Sequence, residues 1–325
     1  MLVPFLQKYQ PHHMEDFYFD KYFHSTIKSL MEIDFLNILF IGDCGTGKTS
    51  IINSIVNQYY ATPHCSSHLQ NNCDIQKNVL YITNLKDQGI SYYRNDVKTF
   101  CQIQCTIPNK KKIVVVDDLD MINQQSQQVF RHCIDTYGSN IHFISSCSNT
   151  QKIINSIQSR TTIIKLHHLT NTSLMKIINN ISQKENINIT ESAKQQIIRI
   201  SDHSTSTIIN YLEKCKLLQC DITVDIINRI STTISFYILK TYTDLCGDKK
   251  YKEAIYLLYE LFDKGYSVLD ILDSYFCYIK QESFLTETQK YKIIIFISNY
   301  ITIFHNDHEN EIELALFTKN IIEIF

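Results

Sequence analysis

Glycine is scarce in this chain, with seven among 325 residues, and three of the seven fall within six positions, Gly42 to Gly47. Proline is scarcer still. Pro4, Pro11, Pro63 and Pro108 make up the whole set, so nothing after residue 108 carries the strongest helix breaker. The eleven cysteines contain no C-x-x-C pair, which argues against a disulfide framework and reads as reduced thiols. Neither sign of charge dominates: 31 Lys and Arg stand against 33 Asp and Glu, net −2. That balance excludes a global pull toward nucleic acid or acidic membrane, so any DNA contact has to come from a local patch. Apolar runs such as 293–297 are too short to span a bilayer, and residues 1–5 lack the charged start and apolar core of a secretory signal. An intracellular protein of two or three domains with no membrane partner is expected.

The clustered glycines belong to Gly42-Asp43-Cys44-Gly45-Thr46-Gly47-Lys48-Thr49-Ser50, which follows an apolar run over 35–41 and precedes another over 51–56. This is the strand, glycine-rich loop and helix of a P-loop. Glycines let the backbone fold around phosphates and aim its N–H groups at them, Lys48 can reach the outer phosphates, and Thr49 can hold Mg²⁺. A nucleoside triphosphate site follows from those residue types. Four further segments, 79–83, 113–116, 141–145 and 161–165, have the apolar, β-branched character of buried parallel strands. Helical stretches over 51–60, 91–104 and 124–137 fall between them, giving a doubly wound parallel sheet of five strands.

Beyond residue 165 a 3.6-residue period takes over. Leu174, Ile177, Ile178 and Ile181 form one stripe; Ala193, Ile197 and Ile200 form a second. Val268, Ile271, Leu272, Tyr275, Phe276 and Ile279 form a third, with Gly265 as C-cap of the preceding helix and Ser267 as N-cap of this one. Domain boundaries are expected near 166 and 233: a nucleotide-binding domain over 1–166, a helical lid over 167–232 and an all-α domain over 233–325. Asp117, Asp118 and Asp120 close the apolar run that begins at Ile113, the form of a second acidic motif, in which Asp117 would hold Mg²⁺. His64, Cys65, His68 and Cys73 have the residue types of a zinc site at a spacing that fits no standard one, and a polar loop is the plainer expectation.

Several motifs in order resemble the small subunits of replication factor C, the sliding-clamp loader among the AAA+ ATPases, over essentially the full length. Pro4-Phe5-Leu6-Gln7-Lys8-Tyr9-Gln10-Pro11 is similar to P-W-V-E-K-Y-R-P, and Gln88-Gly89-Ile90-Ser91-Tyr92-Tyr93-Arg94 to R-G-I-x-x-x-R. Gln127-Gln128-Val129-Phe130-Arg131 resembles Q-Q-A-L-R, Ile153-Ile154-Asn155-Ser156-Ile157-Gln158-Ser159-Arg160 resembles I-I-E-P-I-Q-S-R, and Asn310 to Ala315 resembles the terminal collar helix. The abundance of Ile, Asn, Lys and Tyr matches an A+T-rich genome and is similar to giant-virus composition.

The resemblance implies an α/β P-loop AAA+ domain, a small helical lid and a helical collar that joins a hetero-pentamer. It implies ATP with Mg²⁺ on Gly42 to Ser50, Tyr9 near the adenine, Arg160 as a finger for the neighbouring subunit's ATP, and Arg94, Lys98 and Arg131 along a DNA backbone. Lys110, Lys111 and Lys112 are expected to form a solvated loop. Partners would be the other loader subunits, a ring clamp and primer–template DNA, in a nucleus or viral factory. Departures from the family fall on hydrolysis: Asp118 replaces glutamate, Ser148 takes the sensor asparagine position beside Asn149, and His203-Ser204-Thr205-Ser206 lacks the lid arginine of G-D-M-R. A subunit that binds ATP and hydrolyses it weakly is the expectation, with a non-hydrolysing structural subunit or another replication ATPase (helicase loader or origin-binding type) as alternatives.

Overall fold

A computed structural model describes residues 3–61, 76–82, 90–218, 220–231, 234, 236–281, 284–306 and 310–325. The His64, Cys65, His68 and Cys73 cluster lies outside the described residues. Five parallel strands, β1 (Ile38–Ile41), β2 (Val79–Ile82), β3 (Lys112–Val116), β4 (Ile141–Cys147) and β5 (Thr162–Lys165), form one sheet in the order β2-β3-β4-β1-β5. Alternation along the strands divides two cores. Ile38, Phe40, Ile113, Val115 and Ile144 face the helices Lys21–Glu32 and Lys48–Tyr60 through Ile27, Ile51, Ile55 and Val56. Leu39, Val114, Val116 and Phe143 face the opposite way, against Val97, Phe130 and Ile134 of the helices Ile90–Gln102 and Gln124–Tyr137. A side-chain period of two on a sheet covered on both faces favours apolar residues at every strand position, which is why β1 and residues 113–116 of β3 read as unbroken hydrophobic runs, while β4 admits the buried polar residues His142, Ser145 and Ser146.

The described residues divide into two compact units, one ending at Val224 and one starting at Asp225. Beyond the sheet, the first contains the helices Asn171–Glu185, Glu191–Ile200 and Thr205–Leu218. Thr170 and Thr190 cap the first two through their hydroxyls, and Ile189 bridges Ile222 at the base. Leu174, Ile178, Ile181, Ala193 and Ile197 are buried, as their stripes require. In the second unit, Gly265 adopts φ 94° after the helix Tyr251–Asp263. Its N–H bonds Phe262 O and the Tyr266 N–H bonds Leu261 O, a Schellman stop. Ser267 then caps the next helix through Asp270 N at 3.0 Å, while Asp270 returns a bond to Ser267 N. The core of this unit contains an aromatic cluster, with Tyr242, Tyr275 and Phe317 in edge-to-face contact and Tyr242 OH bonded to Thr318.

At the amino ends of the strands the lysine run departs from the sequence expectation of a solvated loop. Lys112 is the first residue of β3 and is only 3% exposed, with its ammonium on Phe100 O and over the Phe100 ring. Register explains the difference: Lys112 pairs Ile141 in the sheet, so its stem is buried and its tip must reach outward for partners. Lys111 pairs Asp34, and Lys110 lies over the Tyr59 ring.

His142 is buried beside them, accepting from Leu36 N at Nδ1 and meeting Asp34 Oδ1 through Nε2 at 3.0 Å. Burial holds the His142 pKa below its ordinary value, partly offset by Asp34. For Asp34 burial pushes upward, but hydrogen bonds from Lys111, Tyr59 and His142 prevail and hold it low. In both cases the unfolded chain binds more protons than the folded one, so stability is lost as pH falls below about 6.5 for the histidine, then below about 3.9 for the aspartate. Thermal unfolding followed from pH 7.5 to 5.5 should show the first loss. His142→Gln, which cannot titrate, should flatten that slope, and an unchanged slope would rule His142 out as its source.

Candidate nucleotide site

The carboxyl end of β1 runs straight into the glycine loop, and Gly42 N bonds Cys147 O of β4 at 3.2 Å. Gly45 at φ 78° and Gly47 at φ 94° take left-handed backbone that side-chain-bearing residues adopt at a cost. A Cβ at Gly45 would also lie 2.1 Å from Ser204 Oγ and 3.0 Å from Ser204 Cβ, so the Ser204 side chain would have to give way. Gly47 opens the helix Lys48–Tyr60 with no side-chain cap, which leaves its first N–H groups facing the loop as an anion-binding end. Lys48 is 8% exposed and its ammonium spans the loop, bonding Gly42 O at 2.7 Å and Asp43 O at 3.0 Å. Thr46 Oγ1 also bonds Asp43 O, while Asp43 places its carboxylate 3.0 Å from His168 Nε2. Cys44 and Thr49 are exposed, and Ser50 is half-buried on the first helical turn.

β3 delivers the acidic residues to the same end of the sheet. Asp117 Oδ2 accepts from Thr49 Oγ1 at 2.8 Å, joining the two sequence-predicted Mg²⁺ positions. Its Oδ1 accepts from Ser146 Oγ of β4, and Ser146 Oγ in turn accepts from Asp118 N at 3.0 Å. Asp118 sits in left-handed backbone at φ 53°, a region that aspartate tolerates better than most residues. Burial, then the Asp117 charge, raises its carboxyl above the usual range, with Lys48 opposing. Asp120 is buried and accepts from Ser148 N at 3.3 Å and Asn149 N at 3.1 Å, tying the loop after β4 to the acidic turn. Ser148 itself is exposed on that loop, and Asn149 spends its side-chain oxygen on Gln151 N.

The helical lid reaches the loop directly. Gly45 O accepts from Thr205 N at 3.2 Å and from Thr205 Oγ1 at 2.7 Å, so hydroxyl residues make the contact in a segment without the lid arginine. A cavity of about 490 Å³ opens beside Thr46, Gly47 and Ser50; its walls include Tyr9, Pro11, Ile177 and Ser206. Tyr9 OH and Lys8 both bond Glu185 of the lid, and burial, then Glu185, raises the Tyr9 pKa to about 12. The amino-terminal segment is thereby fastened to the lid, with Phe5 N on Glu213 as a further tie.

The remaining predicted residues lie elsewhere in this unit. Arg160 follows the short helix Asn155–Gln158 and is held by Asp135 and by Ser156 O at 2.8 Å. Arg131 shares Asp135 at 3.8 Å. Arg94 and Lys98 are exposed and four residues apart on the helix Ile90–Gln102, and Lys98 lowers the burial-raised pKa of Cys133 on the neighbouring helix. Ser146, Asp120, Glu185, His168 and Thr205 were not anticipated as site residues. Asp120 carried a signal as the last carboxylate of the acidic run, and Thr205 lay in the segment singled out for its missing lid arginine; the other three carried none.

Residues 38–168 match the family model described as ATPase family associated with various cellular activities (AAA), and residues 237–301 match that of the replication factor C C-terminal domain. Among curated proteins, the chain is 26% identical over 274 residues to the replication factor C small subunit of Methanococcus vannielii, covering 84% of each. It is 23% identical to a protein of Acanthamoeba polyphaga mimivirus named for the replication factor C small subunit, covering 91% of this chain and 89% of that one. Among solved structures, the Thermotoga maritima RuvB Holliday junction branch migration motor superposes with a TM-score of 0.53 at 14% identity, over 73% of this chain and 79% of that one, a likeness of fold.

Proposed function

We propose that this chain, which belongs to the replication factor C small subunits of the AAA ATPases, is an ATP-binding member of a sliding-clamp loader that opens a ring clamp and places it on primer–template DNA. The observation that carries the nucleotide part is the junction of the Lys48 loop, the Thr49–Asp117 pair and the cavity beside them at one end of the sheet. Among the described residues no three His, Cys, Asp or Glu side chains converge as a self-sufficient metal site. Mg²⁺ does not need one, since it takes one or two protein oxygens and completes its shell with water and phosphate. Thr49 and Asp117 are hard oxygen donors 2.8 Å apart and fit that role. Mg²⁺ there would neutralise charge on the outer phosphates.

Three features support weak hydrolysis in this subunit's own site: the short Asp118 side chain, exposed Ser148 in place of an asparagine, and hydroxyls where the lid arginine would stand. Arg160 remains available to a neighbour. Its partner Asp135 is 36% exposed, and a half-exposed ion pair contributes only about 0–1 kcal/mol, so releasing the guanidinium costs little. Helicase-loader or origin-binding ATPases, which commonly end in a β-containing winged helix, fit less well. The described residues after 233 form helices and no strand, and the C-terminal family match lies among them. No helix among the described residues is long and apolar enough to cross a membrane. The proposed place of work is wherever the host replicates DNA, a nucleus or a viral factory.

Arg94, Lys98 and Arg131 would follow the DNA backbone. Phosphate contacts of this kind release counterions and read no bases. Primer–template affinity of the complete assembly should therefore fall steeply with salt and vary little with sequence. Charge removal at Arg94 and Lys98 together should lower the log–log salt slope by about two. A slope that stays put would remove these two residues from the interface.

A further inference from the structure

We propose that Ser146 is a positioning residue for Mg²⁺, setting the orientation of the Asp117 carboxylate and, with it, the metal dependence of nucleotide binding. The inference rests on the Mg·ATP reading of the loop and goes one layer behind it. A carboxylate on a strand end can rotate about its last bond, and a metal ligand that rotates is a poor one. Here both oxygens are pinned: Thr49 Oγ1 holds Oδ2 and Ser146 Oγ holds Oδ1. Thr49 is exposed and is itself a proposed ligand, so its bond to Asp117 is the one that metal entry would rearrange. Ser146 is fully buried in β4 and stays behind the carboxylate.

A hydroxyl suits this place because it donates once and accepts as well. Ser146 uses both capacities, donating to Asp117 and accepting from Asp118 N. That second bond holds the N–H of Asp118, whose own backbone is left-handed at φ 53°, so a single oxygen fixes the direction of one carboxylate and the backbone of the other. Neither an alanine nor a valine at 146 could make either bond. Ser145, one residue earlier on the same strand, has a buried hydroxyl with no hydrogen-bond partner among the described residues, which shows that alternation along β4 selects Ser146 for the task.

The test is a titration of a fluorescent ATP analogue into the full chain, first in EDTA and then at fixed nucleotide against rising Mg²⁺. Outer partners of metal ligands typically account for about 10–100-fold in metal affinity. Ser146→Ala should raise the Mg²⁺ concentration for half-effect by about tenfold or more while leaving the EDTA affinity within about twofold. Ser146→Thr, which keeps the hydroxyl, should recover most of the difference. The EDTA arm also reports that each variant is folded. An unchanged Mg²⁺ response in Ser146→Ala would overturn the proposal, and so would an equal loss with and without metal, which would mark a loop-packing role. Wild-type protein that binds nucleotide with no Mg²⁺ effect would instead refute the underlying metal reading.

Discussion

Lys48→Ala should abolish measurable ATP binding by this chain at micromolar concentrations. The ammonium is the one full positive charge buried in the loop, and its bonds to Gly42 O and Asp43 O hold the loop's two ends together. A hydrogen bond to a charged group contributes about 1.5–3 kcal/mol, and each 1.4 kcal/mol is a factor of about ten. Loss of contacts to the outer phosphates, together with a loosened loop, therefore amounts to at least about 100-fold. Methionine at 48 would keep most of the stem's packing and still lose the charge, so Lys48→Met should behave like alanine. Equilibrium dialysis with labelled ATP decides the matter. Affinity retained in either variant would mean that the loop is not the nucleotide site.

The second large effect concerns two loop residues, one after β3 and one after the helix Asn155–Gln158. In an assembled ring, Arg160→Ala should slow total ATP turnover by more than Asp118→Asn does. An arginine supplied in trans contributes about 10³–10⁵ to phosphoryl transfer, so its removal silences the neighbouring site. Asp118 stands about 1.5 Å, one C–C bond, short of where a glutamate carboxylate would reach, and a misplacement of about 1 Å can cost on the order of 100-fold. Under the proposed weak own-site hydrolysis, the share that Asp118→Asn could remove is small. Abolished turnover in Asp118→Asn with normal turnover in Arg160→Ala would reverse the assignment and make this a strong hydrolytic site.

The phosphate loop and the strands that feed it were legible because each rests on local chemistry: glycines at left-handed positions, a lysine and threonine at fixed offsets, and apolar runs. The helix Gln124–Tyr137 falls where the sequence placed one, and the structure shows what bounds it: Asn123 accepts from Ser126 N at its start and Gly138 follows its end. The partners of the site were not legible, since they depend on register and on distant contacts. Val116 pairs Ser145 across β3 and β4, and a slip of one residue would have turned Ser145 rather than Ser146 toward Asp117. Glu185 lies 176 residues from Tyr9, and no spacing rule links them. The lysine run misled for a related reason: three charges in a row read as solvent-facing, but the strand begins within the run and draws Lys112 into the sheet. Arg160 was recognisable by resemblance, whereas its hold on Asp135 arises only when two helices meet.

The most direct test of the central claim is a loading assay on the complex purified through an affinity tag on this chain. Ring clamp retained on primed circular DNA would be measured with ATP, without ATP, and with Lys48→Ala in the tagged chain. A clamp-loader subunit predicts a co-purifying hetero-oligomer that deposits the ring only with ATP, and a deposit sharply reduced by Lys48→Ala. A tagged chain that recovers no such assembly, or an assembly that loads the ring equally well without this chain, would contradict the account.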